Sequence, residues 1–161
     1  MPYNDVYNNR SGSQAVAAVV ATPVLSVFGT AAKRLWAVGI RFGVGVTAAA
    51  AGNSLLFQLA RPGNTPTGTG LASGAAHDFS SPAAIGQLAT AWSTAPTLGA
   101  ILAEWELPQT TGSEWAEFPP TGDEWGIPAI ANAAANAGLH VFVTPSVATS
   151  TPVFVNLVTG E

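Results

Sequence analysis

PTLGAILAEWELPQTTGSEWAEFPPTGDEWGIP, residues 96–128, concentrates six of the nine carboxylates and three of the five tryptophans of the chain. Ile101, Ala103, Trp105 and Leu107 fall on one face of an extended segment and Glu104 and Glu106 on the other, the period of two of a half-buried strand. Pro108 withholds a ladder donor and Thr110-Thr111-Gly112-Ser113 favours a turn, so the strand is expected to end there. A second short strand is expected over Glu114–Phe118, closed by Pro119-Pro120-Thr121-Gly122, and a third over Glu124–Ile127. The phrases Thr111-Gly112-Ser113-Glu114-Trp115 and Thr121-Gly122-Asp123-Glu124-Trp125 echo each other at the spacing of one hairpin.

Outward from that stretch the same punctuation continues. Leu139, Val141 and Val143 alternate within 138–144, and Val153, Val155 and Leu157 within 151–159, so both are expected to be strands. Toward the N-terminus, 33–46 alternates with Trp36, Val38, Ile40 and Phe42 as the core side, and glycines 39, 43 and 45 suggest bulges or close approach of another strand. Residues 53–61 are expected to be its hairpin partner. Ala15–Ala21 is expected as a buried strand, followed by a turn at Thr22-Pro23 and a short strand to Phe28. Residues 62–82 are expected as a long Gly/Thr/Ser/Pro loop, with a helical turn from Ser81-Pro82, and 89–94 as a short strand. Residues 129–137 are expected as a loop or single turn. Residues 1–14, polar and without periodicity, are expected as an N-terminal arm outside a single 15–161 domain.

The 161 residues suffice for one substantial core, and no cysteine is present to staple it. Charged residues make up 9% of the chain, against about 25% in typical domains. A surface so poor in charge points to cover by neighbouring subunits. The net charge of −4 argues against nucleic acid as a partner. All five basic residues, Arg10, Lys33, Arg34, Arg41 and Arg61, precede Pro62, and every carboxylate except Asp5 follows it; if the sequence halves occupy different regions, the domain has two electrically different faces. No membrane span is expected. The apolar run 15–29 is shorter than the ~20 residues a spanning helix needs, Pro23 interrupts it, and no basic cluster precedes it as in a signal peptide.

A glycosidase needs two carboxyl groups facing each other across a cleft, whereas Glu104 and Glu106 point the same way from one strand. A calcium loop with Asp-x-Asp spacing is missing. His77-Asp78 has no catalytic or metal-binding partners near it in sequence, and His140 is expected at a surface or interface. No catalytic, cofactor-binding or metal-ligating residue is therefore expected. Trp36 and Trp105 fit buried phases. Trp115 and Trp125, beside glutamates at the ends of turns, are expected to be exposed, as anchors at a protein interface or as stacking platforms for sugar rings. Tyr3 and Tyr7, the large side chains of the arm, and Arg10 beside them complete the candidate interface set.

The order PTLGA, an aromatic-containing strand, a second strand ending in an aromatic, PP-x-G-x-E-W-x-x-P, and a later Gly-Leu-x-Val strand with a terminal Glu resembles a family of small virion proteins of tailed bacteriophages, over residues 35–161. The resemblance implies an antiparallel β-sandwich and a capsid decoration protein on the outer surface of the virion. Its implied partners are the major capsid protein and further copies of itself in a homotrimer, with the N-terminal arm reaching onto the shell. Turn signals every ~8–12 residues agree with an all-β, jelly-roll-like sandwich of about eight strands. The rival readings are a tail or head-fibre protein and a carbohydrate-binding module using Trp115 and Trp125.

Overall fold

The computed structural model describes residues 5–30, 35–47, 49, 51–76, 84, 86–110, 112–118, 120–121, 124–125, 127–129 and 137–160. Among these residues the backbone forms sixteen strands and no helix. The first four are long: β1 (Val6–Val16), β2 (Thr22–Phe28), β3 (Leu35–Val44) and β4 (Ser54–Pro62). Gly, Thr and Ser then dominate, and only short pieces form: β5 (Thr67–Thr69), β6 (Ala72–Ser73), β7 (Ala75–Ala76), β8 (Gln87–Ala89) and β9 (Ala91–Thr94). The expected 62–82 loop is thus partly strand, and residues 77–83 lie outside the described residues. The Trp-rich stretch supplies β10 (Leu98–Pro108) and β11 (Gly112–Glu117), then β12 (Pro120–Thr121), β13 (Glu124–Trp125) and β14 (Ile127–Ala129). Two long strands close the chain, β15 (Leu139–Pro145) and β16 (Thr151–Gly160).

The eight strands of six residues or more pair from the outside of the sequence inward: β1 with β16, β2 with β15, β3 with β11 and β4 with β10, all antiparallel. Folding that four-pair ribbon over gives a first sheet in the order β11-β3-β16-β1-β7, with β14 also on β3, and a second in the order β10-β4-β15-β2-β8-β6. This is the jelly-roll arrangement of two packed sheets. The core lies between them, where Phe42 of β3 stacks on Phe57 of β4 at 4.8 Å and Trp105 of β10 tilts against Phe42 at 5.1 Å. Trp105 and Phe118, 6.3 Å apart, close one side of the sandwich. On the other side the chain steps from β6 in the second sheet to β7 in the first across Gly74 alone.

Several expectations are corrected. Residues 6–14 are not an arm: they belong to β1, inside the first sheet, with Tyr7, Asn9 and Ser11 facing inward. Polarity had suggested exposure, but the Asn9 amide donates to Leu157 O and to Thr159 Oγ1, both at 2.9 Å, and a satisfied polar side chain can be buried. The register shifts between Arg10 and Ser13, where Gly12 takes φ 65° as the extra residue of a bulge. In β3 a second bulge at Val38 separates Ala37, opposite Thr159, from Gly39, opposite Val158. It switches the alternation, so the core side is Leu35, Ala37, Ile40, Phe42 and Val44, while Trp36 and Val38 are only partly buried. Strand β4 is not the hairpin partner of β3 but crosses to the opposite sheet, between β10 and β15. Pro23 lies inside β2, near its start and beside a bulge, where a missing donor is tolerated. In β10, Ala103, Trp105 and Leu107 pair with the inward Leu59, Phe57 and Leu55 as expected. Ile101 is instead exposed, because two register shifts fall between Leu98 and Ala103.

Candidate functional site

The two outer faces differ. The second sheet is covered: β5 and β9 pair with each other over it, and a Cβ on Gly68 would meet Ala89 at 2.7 Å and Phe28 at 3.5 Å. Beneath this cover the Trp92 Nε1–H donates to Ser26 Oγ at 2.8 Å. Ser26 and the Nδ1 of His140 are 2.7 Å apart, and His140 Nε2 lies 2.8 Å from Ala137 O. With the pKa of His140 lowered to about 4, its ring is neutral near pH 7 and the donors run in one direction. Ser26 accepts from the indole and gives its own proton to Nδ1, leaving Nε2–H to donate to the carbonyl. Burial causes the fall in pKa, with the nearby positive charge of Arg61 adding to it and the Ala137 hydrogen bond opposing it. His140 is therefore not the surface residue expected. Ser26 and His140 meet at hydroxyl–imidazole distance, but both are fully buried, so the pair ties the cover to the sheet instead of meeting a substrate. Strand β15 carries apolar residues on both faces, the mark of a strand buried on both sides.

The outer face of the first sheet carries an open groove of about 880 Å³. Its floor contains one straight cross-strand row: Trp115 of β11 is opposite Arg41 of β3, Arg41 opposite Asn156 of β16, and Asn156 opposite Arg10 of β1. The Asn156 amide donates to Asn8 Oδ1 at 2.6 Å. Its own Oδ1 is buried without a donor among the described residues. Arg10 and Arg41 are exposed, and neither has a hydrogen bond or ion pair among the described residues. The Trp115 indole lies over Gly39, where a Cβ would stand 2.7 Å from Cη2, and its Nε1–H donates to Glu117 Oε1 at 3.3 Å. The ring is thus held in place while 48% exposed. A smaller, mostly apolar dip of about 220 Å³ beside Gly43 and Phe154 adjoins the groove.

The other exposed feature is the free edge of the second sheet. Among the described residues β10 pairs only with β4, and Leu98, Ile101 and Leu102 are 37–46% exposed along it. Of the residues singled out from sequence, Arg10 and Trp115 come together in the groove. Tyr7 is buried in the core at 1% exposure and cannot serve an interface. Tyr3, His77 and Asp78 lie outside the described residues, and Trp125 is placed only as a strand residue of β13, opposite Pro120. Arg41 and Asn156 were missed as site residues. Their only signal is register, which exists once β3, β16 and β1 are paired. Glu104 and Glu106 lie on one strand and Glu114 and Glu117 on another, so the carboxylates follow the β10 and β11 edges while the arginines of the groove sit inside the first sheet. No family model, no curated protein and no solved structure matches this chain.

Proposed function

We propose that the protein is a structural component of a virion, a capsid decoration protein that bridges neighbouring major capsid subunits and works as a homotrimer on the outer surface of the head. The observation that carries this reading is the open edge of β10. A long free edge with apolar side chains invites pairing with another chain, and monomeric proteins blunt such edges with lysine, proline or cover. Glu104 and Glu106 guard only the C-terminal half of β10; between Leu98 and Ala103 no charge or proline stands. With 9% charged residues in the whole chain, the remaining surface does little to keep copies apart. The mechanism is binding alone: each copy that binds the assembled lattice and not its separated subunits shifts the equilibrium toward the closed shell.

Sedimentation equilibrium of the purified full chain, followed by co-sedimentation with empty capsids, tests this. The expected result is a trimer that saturates the capsid surface at a fixed ratio, weakened by Ile101→Lys. A monomer that stays in the supernatant would overturn the proposal, and binding at a few copies per particle would move the protein to a tail or fibre position.

A further inference from the structure

We infer that the groove on the outer face of the first sheet is a saccharide-binding site, in which one sugar ring lies on the Trp115 indole while Arg41, Asn156 and Arg10 read the hydroxyls of the next. The inference does not rest on β10 or on any shell, and its failure leaves that proposal standing.

The argument starts from the indole. Gly39 makes room beneath it and Glu117 holds its nitrogen, so the ring is oriented before any ligand arrives and little side-chain entropy remains to be lost on binding. The electron-rich face of an indole attracts the polarised C–H edge of a pyranose as it attracts other positive edges. Polar groups of opposite kinds sit next to it in a single row. A guanidinium only donates, and an amide oxygen only accepts. Strands are about 4.8 Å apart, so the backbones of Arg41 and Arg10 stand about 10 Å apart with Asn156 between them, and Trp115 lies one strand beyond Arg41, a row of about 14 Å that suits two linked sugar rings. A hydroxyl can both give and accept, so adjacent hydroxyls of one sugar satisfy both arginines and the orphaned Asn156 Oδ1. That oxygen is closed off in the free protein. A ligand hydroxyl reaches it only when the side chains around it shift, and an acceptor that lacked a donor then gains one.

The same groove disfavours other ligands. Glu114 lines it, Glu117 stands on the Trp115 side of β11, and the chain carries a net −4, so a polyanion such as nucleic acid is repelled beyond the first contact. A flat apolar partner would leave two guanidinium groups and an amide oxygen unpaired.

The test uses the full-length chain, first on a glycan array and then by calorimetry and saturation-transfer NMR. The probes are N-acetylglucosamine and its short oligomers, galactose, rhamnose and glucuronate, with inorganic phosphate and a Trp-free peptide as controls. The expected result is saturable binding of at least one saccharide, weakened about tenfold or more by Trp115→Ala, partly restored in Trp115→Phe, and weakened by Arg41→Ala. Gly39→Ala adds a methyl group where the ring rests and removes no ligand contact, so it should lower affinity by displacing the platform. Far-UV circular dichroism confirms that each variant is folded. The inference is overturned if no saccharide binds, if binding is unchanged in both Trp115→Ala and Arg41→Ala, or if only phosphate or the peptide binds in an Arg41-dependent way.

Discussion

Phe142 and Phe154 both point away from the core of the sandwich, one from each sheet, yet Phe142 is fully buried and Phe154 is 46% exposed. Both strands are central in their sheets, paired on both sides, so the difference comes from what lies over them. Over β2, the neighbour of β15, the chain returns as β5 and β9 and fastens itself to both strands through Trp92, Ser26 and His140. Over β16 nothing described returns, and polar side chains line an open groove. One outer face has become interior and the other has been left to meet a ligand, although a two-sheet fold by itself treats them equally.

The largest expected effect tests the covered face. Phe142→Ala removes a fully enclosed ring and should cost about 3–5 kcal/mol in the urea-unfolding free energy. A loss below about 1 kcal/mol would mean that the cover is loose and that the two faces are equivalent after all.

Next comes pH. His140 has a folded pKa of about 4, below its ordinary 6.5. Above pH 6.5 neither folded nor unfolded chain protonates it, and stability is undiminished. Between 6.5 and 4 the unfolded chain takes up a proton that the fold refuses, so stability falls with pH, by up to about 3 kcal/mol from this group, and levels off for it below 4. The measurement is the difference between wild type and His140→Gln across that window, in which every group the two chains share cancels. Parallel curves would show that His140 is free to charge and that the cover opens readily.

Ser26→Ala should cost about 1–3 kcal/mol, because it strands both the Trp92 N–H and the Nδ1 acceptor of His140 beneath the cover. Adding Trp92→Phe should recover part of that loss, since one stranded donor is then gone. A double mutant that is simply additive would break the claim that the serine joins the two.

How far these faces were legible in sequence follows from what period-two alternation can see. It placed β15, β16 and the C-terminal half of β10, because each keeps its phase from end to end. It failed wherever a bulge changed the phase. Trp36 and Val38 were assigned to the core because the extra residue at Val38 has no unambiguous mark beyond Gly39. It also failed where polarity was taken for exposure: Asn9 and Ser11 face inward because β16 supplies the acceptors and donors they need, and those partners lie more than a hundred residues away. Of the groove, Trp115 and Arg10 were visible singly, but Arg41 and Asn156 gain meaning only from a register that joins four strands. Of the cover, β9 was legible as a short strand, but not what it lies over. Apart from Trp92 its residues are small, and they stay exposed or half-buried themselves while they enclose the sheet beneath.

The smallest effect closes the comparison. Phe154→Ala should change stability by less than about 1 kcal/mol, since half of the ring is already hydrated and its neighbours Gly43 and Gly45 offer it little to pack against. The contrast with Phe142→Ala is the measurement that counts, because both remove the same ring from an outward position on a central strand. If Phe154→Ala proved as costly as Phe142→Ala, the outer face of the first sheet would have to be covered in solution, by another copy of the chain or by a part of its own. The groove would then be an interface, and Trp115 would be held there by protein in place of a sugar.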